Sequence, residues 1–70
     1  VTTLAENFAK QLKRTRTRKK WSQEALAQEA HLSTSMLSML ERSKREPSFS
    51  TIEQLAAALG VRPLDLLKAA

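Results

Sequence analysis

The stretch from Gln23 to Arg42 constrains this chain more than any other, because it holds two short amphipathic segments separated by a tight turn. Leu26, Ala27 and Ala30 share one face of the first segment, Leu32 falls in the turn, and Leu37 and Leu40 share a face of the second. Helices joined this closely cross at roughly 90 to 120° and approach only where a side chain is short, so Ala27 matters as much as the leucines. The turn needs a residue able to adopt a left-handed backbone. His31 stands there, and His is among the non-glycine types enriched in that conformation.

The rest of the chain also reads as helix. Over residues 3–19 the apolar positions Leu4, Phe8 and Leu12 recur every fourth residue in a polar background, an amphipathic helix whose core face ends near Leu12. Ser22 is a good N-cap for a second helix over 23–30, although Ala25 in place of Glu leaves the capping box incomplete. Ser33 caps a third over 33–43, which Lys44-Arg45-Glu46-Pro47 interrupts. Ser50 or Thr51 opens a fourth over 50–59, with Glu53 in its first turn favouring the helix dipole and Ile52, Leu55, Ala56 and Leu59 facing inward. Gly60 is expected as a left-handed cap, and Val61-Arg62-Pro63 leads into a last helix over 63–69 carrying Leu64, Leu66 and Leu67. With no strand alternation, repeat or low-complexity linker, the expectation is one all-α, compact five-helix domain spanning residues 1–70.

A chain of 70 residues buries only about 60% of its unfolded surface, so its margin of stability is thin. With no Cys and one His there is no disulfide framework, no thiolate site and no zinc centre, and no metal or cofactor is expected. The same inventory, with no Tyr and one Gly, leaves no catalytic triad, no thiol nucleophile and no glycine-rich phosphate loop. Glu24, Glu29, Glu53 and Asp65 are spread without pairing, so no catalysis and no small-molecule ligand is assigned. The net charge of +5 favours a polyanion, either nucleic acid or an anionic membrane surface. No apolar run approaches the roughly 20 residues that span a bilayer, and the N-terminus lacks the order of a secretory signal, so a soluble cytoplasmic protein without a membrane partner is expected. Beginning at Val1 rather than Met, the sequence is equally consistent with a processed product and with a piece of something longer. Of the twelve basic residues, seven (Lys10, Lys13, Arg14, Arg16, Arg18, Lys19 and Lys20) crowd the second half of the first helix and the loop after it.

On a helix advancing about 100° per residue, Thr34, Ser35, Ser38, Met39 and Arg42 fall on one arc, opposite Met36, Leu37 and Leu40. The third helix can therefore lock its apolar side to the domain while offering hydroxyls, a thioether and a guanidinium outward. This is the plan of a helix-turn-helix DNA reader.

The order Leu12-x-x-x-Arg16, Trp21-Ser-Gln23, Leu26-Ala27, Leu32-Ser33, Leu37, Leu40-Glu41-Arg42, Pro47-Ser48, Leu55-Ala56 and Leu59-Gly60-Val61 resembles the phage repressor and Cro family, the XRE-type helix-turn-helix domain. The resemblance covers nearly the whole chain and implies a lambda-repressor-like five-helix fold and operator binding. Three positions depart from the family pattern: His31 and Ser43 where Gly is usual, and Thr15 where an apolar residue is usual. These bear on local turn geometry rather than on the fold.

The resemblance implies that Thr34, Ser35, Ser38 and Met39 enter the major groove to read base edges. Hydroxyls accept several edges and Met39 suits a thymine methyl, so this face discriminates less than one bearing Gln, Asn or Arg. The competing reading is an ordinary solvated helix surface. Ser22 and Gln23, at the start of the second helix, are placed for a phosphate, and Arg42, Ser43, Lys44 and Arg45 for the flanking backbone. Arg18, Lys19 and Lys20 are weaker phosphate candidates, equally readable as solvated charges. The resemblance also implies that Arg16 and Glu41 form an internal ion pair between the first and third helices, the alternative being a direct Arg16–phosphate contact. Trp21 is assigned to the core rather than to base stacking.

The function expected is a sequence-specific transcriptional regulator on double-stranded DNA, binding a near-palindromic operator as a homodimer. Val61, Leu64 and Leu67 are candidates for the dimer contact, or simply close the monomer's own core. The alternative is a protein-interaction module, adaptor-like or antitoxin-like, that uses the same fold to bind an acidic partner.

Overall fold

The computed structural model describes residues 3–68. Its elements are α1 (Leu4–Arg18), α2 (Gln23–Glu29), α3 (Thr34–Glu41) and α4 (Phe49–Leu59), followed by a short 3₁₀ helix, Pro63–Leu66. Every α-helix begins on a hydroxyl. The side chains of Thr3, Ser22, Ser33 and Ser48 accept the backbone N–H of Glu6, Ala25, Met36 and Thr51 at 3.1, 3.0, 3.0 and 3.1 Å. At α1 the exchange is reciprocal, because the Thr3 N–H donates to Glu6 Oε1 at 2.9 Å. That backbone bond, more than the neighbouring Lys10, holds the Glu6 carboxyl below its usual pKa.

The helices also end alike. Just past each one the backbone turns left-handed, with φ of 60° at Lys20, 60° at His31, 59° at Ser43 and 71° at Gly60. The N–H of each of these residues returns to a carbonyl three positions back, on Thr17, Gln28, Leu40 and Ala57 respectively. The following N–H reaches five positions back: Trp21 to Arg16, Leu32 to Ala27, Lys44 to Met39 and Val61 to Ala56, at 3.2, 2.8, 2.9 and 3.0 Å. This paired return is the Schellman closure, which satisfies carbonyls that a helix end otherwise leaves without partners. In three of the four corners the second residue is apolar and folds inward, so Trp21, Leu32 and Val61 all pack on the core. In the fourth it is Lys44, which is exposed.

The core gathers Phe8 and Leu12 from α1, Leu26, Ala27 and Ala30 at α2, Leu37 and Leu40 from α3, Ile52, Leu55, Ala56 and Leu59 from α4, and Leu66. Each large side chain removed from water contributes about 1.5–3 kcal/mol, the main favourable term in a domain this small. α3 is held from two sides, since α2 and α1 both pack on it.

Several expectations from sequence need correction. Among the described residues there are four α-helices rather than five, because the segment expected as helix 63–69 closes as a four-residue 3₁₀ helix. Its bonds run i→i+3, from the Asp65 N–H to the Arg62 carbonyl and from the Leu67 N–H to the Leu64 carbonyl, a tight winding that the Asp65 carboxylate reinforces by accepting the Arg62 N–H at 3.0 Å. Ala69 of that expectation lies outside the described residues. α3 ends at Glu41 rather than at 43, because Ser43 is left-handed. α4 begins at Phe49 on a Ser48 cap, not at Ser50 or Thr51, and Glu53 therefore falls beyond its first turn. Ser48 wins because its hydroxyl bonds both the Thr51 N–H and the Thr51 hydroxyl, the latter at 2.9 Å. The inward face of α1 starts later and runs further than its leucines suggest: Leu4 is 62% exposed, whereas Thr15 is buried.

Candidate functional site

α3 presents two unlike faces. Leu37 and Leu40 are buried and Met36 packs against the core, while Thr34 and Ser35 are exposed and Ser38 and Met39 are half-buried beside them. Arg42 extends this outer face at the end of the helix, its Nε directed at the Ser38 carbonyl at 3.4 Å. Ser43, Lys44 and Arg45 continue it as an exposed loop. Thr34 and Ser35 are exposed, so their hydroxyls can exchange hydrogen bonds with whatever lies in front.

What fixes the angle of α3 is a clamp at its far end. Arg16 Nε and Nη2 donate to the two carboxylate oxygens of Glu41 at 2.6 and 3.0 Å, a bidentate pair joining α1 to α3. Arg16 Nη1 donates to the Trp21 carbonyl at 2.7 Å, and Gln23 Nε2 adds a bond to Glu41 Oε1 at 3.0 Å. The Glu41 side chain is only 2% exposed and that of Arg16 13%. The hydrogen bond to Glu41 raises the Arg16 pKa by more than burial lowers it, so the guanidinium stays charged. Among the described residues no buried side-chain nitrogen or oxygen lacks a partner, the condition under which a buried charge pair is tolerable.

The other residues singled out from sequence are distributed unevenly. Ser22 uses its oxygen as an N-cap acceptor but keeps an O–H to donate. Gln23 has one amide proton committed to Glu41. Arg18, Lys19 and Lys20 are exposed at the first corner. Val61 and Leu67 pack against the core, whereas Leu64 is 68% exposed, so the three do not form one surface. Within the 3₁₀ helix, Asp65 accepts from the Arg62 guanidinium and backbone N–H and from Lys68, and these contacts hold its pKa at about 2.

Two features escaped sequence reasoning. Phe49, at 85% exposure, lies with Leu4, Pro47 and Leu67 around a shallow apolar groove. The Ser48 cap was the available signal, since it places Phe49 first in the helix. The second is a wider groove between α1 and the end of α3, lined by Lys10, Lys13, Arg14, Arg18 and Arg42. The charge run in α1 was visible in sequence, and the implied Arg16–Glu41 pair brought the end of α3 to it, but that a groove is left open between them was not visible. Among the described residues no helix is long and apolar enough to cross a membrane.

Comparison with known proteins places this geometry. A family described as helix-turn-helix matches residues 12–66. The chain is 44% identical over 52 residues to a hypothetical transcription factor of Neisseria meningitidis serogroup B, an alignment covering 74% of this chain and 49% of that protein. It is 43% identical over 51 residues to the immunity repressor protein of Bacillus phage phi105, covering 73% of this chain and 35% of the repressor. The chain thus spans about half the length, or less, of these two relatives. Among solved structures, the restriction-modification controller protein C.AhdI from Aeromonas hydrophila superposes with a TM-score of 0.86 at 37% identity, covering 89% of this chain and 94% of that one.

Proposed function

This chain belongs to the helix-turn-helix family of the phage repressor and Cro type, and from that premise we propose that it is a DNA-binding transcriptional regulator whose α3 enters the major groove. One observation carries the reading: the outer face of α3 is left uncovered while its inner face and both ends are fixed. A rigid, uncovered helix is what groove recognition requires. The names of its relatives, a hypothetical transcription factor, an immunity repressor and a restriction-modification controller, support the same class of work.

In this reading Thr34, Ser35, Ser38 and Met39 meet base edges, while Ser22, Gln23, Arg42, Ser43, Lys44 and Arg45 meet phosphates. The operator is near-palindromic and taken by a homodimer, its half-sites about one helical turn, 34–36 Å, apart. Val61, Leu64 and Leu67 are candidates for the contact between subunits, with Leu64 the most accessible of them.

Selection of binding sequences from a random duplex pool, followed by footprinting, tests this directly. A single enriched motif with two-fold symmetry is expected. Thr34→Ala and Ser38→Ala should then change the preferred sequence while leaving nonspecific binding nearly intact. Enrichment of no sequence, or a preference that both substitutions leave unchanged, would reject the assignment. Capture of an acidic protein with no salt-sensitive duplex binding would instead favour an interaction module.

A further inference from the structure

The geometry points to a second DNA-binding surface: the groove between α1 and the end of α3 takes the sugar–phosphate backbone beyond the contacts made by α3 and its following loop. The inference deepens the regulator reading and rests on it for the choice of duplex as partner.

The groove, of roughly 760 Å³, is lined by the cations Lys10, Lys13, Arg14, Arg18 and Arg42. All five are exposed, and among the described residues none of them belongs to an ion pair. The two carboxylates that also line it are already engaged, Glu6 with the backbone N–H of Thr3 and Glu41 with Arg16 and Gln23. Arg16 offsets the charge of Glu41, whereas Glu6 stays ionised at the rim near Lys10, so five cations face one carboxylate without a cationic clamp and the balance of the groove is positive.

That arrangement has a local cost. Lys10, Lys13, Arg14 and Arg18 stand at i, i+3, i+4 and i+8 on one side of α1, and like charges at such spacings destabilise a helix. The α1 dipole favours Arg18 in the last turn and Glu6 lies one turn before Lys10, but neither compensates Lys13 and Arg14 in the middle of the helix. A polyanion in front of the ridge would turn this repulsion into attraction.

Two observations favour a duplex over other polyanions. From Lys10 to Arg18 the ridge rises about 12 Å along the helix axis, matching the axial spacing of three to four phosphates on one DNA strand. The groove is also continuous with the outer face of α3, because Arg42 and Ser43 line it as well. An acidic peptide would need a recess for an apolar anchor, and between the charged side chains the groove offers only the small residues Ala9, Thr17 and Ser43.

The test is the salt dependence of binding for Lys10→Ala/Lys13→Ala/Arg14→Ala, measured on the duplex recovered by selection and on an unrelated duplex. All three side chains are exposed, and Ala is the best helix former, so α1 should be retained. The slope of log affinity against log salt should shrink by about 2 to 3 units on both duplexes, at about 0.9 per lost phosphate contact, with the preferred sequence unchanged. The charge-conserving set Lys10→Arg/Lys13→Arg/Arg14→Lys should restore the slope. An unchanged slope on both duplexes overturns the groove's role while leaving the reading of α3 intact. So does an effect confined to anionic vesicles or to a poly-glutamate peptide. If the wild-type protein prefers no sequence yet its slope still falls with the triple substitution, the groove stands and the reading of α3 falls.

Discussion

The corners before and after α3 share one backbone geometry and differ in what holds them. Each has a left-handed residue, His31 or Ser43, and the same pair of returning hydrogen bonds. At the first corner the next residue, Leu32, packs on the core; at the second it is Lys44, facing solvent. The second corner instead follows directly on Glu41, held by Arg16 across the domain. One corner is fixed by burying its own plug, and the other by an ion pair located just before it. The second arrangement frees the corner's side chains for work outside the molecule, but it concentrates the structural burden on a single buried carboxylate.

Glu41→Ala is the strongest way to break this difference. It leaves the Arg16 guanidinium partly buried without its partner, and the expected loss is about 3–5 kcal/mol, most of the stability of a domain this small. A melting temperature close to that of the wild type would show that the ion pair does not hold the second corner. Leu32→Ala should cost less, about 1–2 kcal/mol, because the side chain is only partly buried; denaturant midpoints at constant m would measure it. His31→Gly and Ser43→Gly should each stabilise by about 0.5–1 kcal/mol, relief of the left-handed backbone outweighing the added freedom of the unfolded chain. Unequal gains would mean that the two corners are not conformationally equivalent. Lys44→Ala should leave the melting transition nearly in place, yet weaken all duplexes alike and lower the salt slope by about one unit. Destabilisation there comparable to Leu32→Ala would make Lys44 a packing residue after all.

Periodicity made most of the interior legible. Phe8, Leu12, Leu26, Leu37, Leu40, Leu55 and Leu59 recur at helical spacing, and all are buried. Leu4 has the same spacing but occupies the first position of α1, and it remains largely exposed. Leu64, Leu66 and Leu67 resemble a helical stripe, yet the backbone after Pro63 closes i→i+3 bonds as a 3₁₀ helix, which buries Leu66 and leaves Leu64 exposed. The α4 boundary was obscured by three hydroxyl residues close together, Ser48, Ser50 and Thr51, each a plausible cap. Around α3, helical projection distinguished Thr34 and Ser35 from Leu37 and Leu40. The contact between Arg16 and Glu41 is different in kind: 25 positions apart, it could be suggested only by the family resemblance, since no local spacing encodes it. The same implied pair brings together the two walls of the cationic groove, α1 and the end of α3, but that the space between them stays open depends on packing no spacing encodes.

The uncovered side of α3 has a consequence for how such a domain diversifies. Thr34 and Ser35 are exposed and lie outside the core, so exchanging them leaves the interior jigsaw as it was and draws little on a slender reserve of stability. Drift at these positions can alter a partner preference without first rescuing the scaffold. New specificities should therefore arise by single steps along α3, while Glu41, Leu37 and Leu40 on the same short rod stay fixed beneath them.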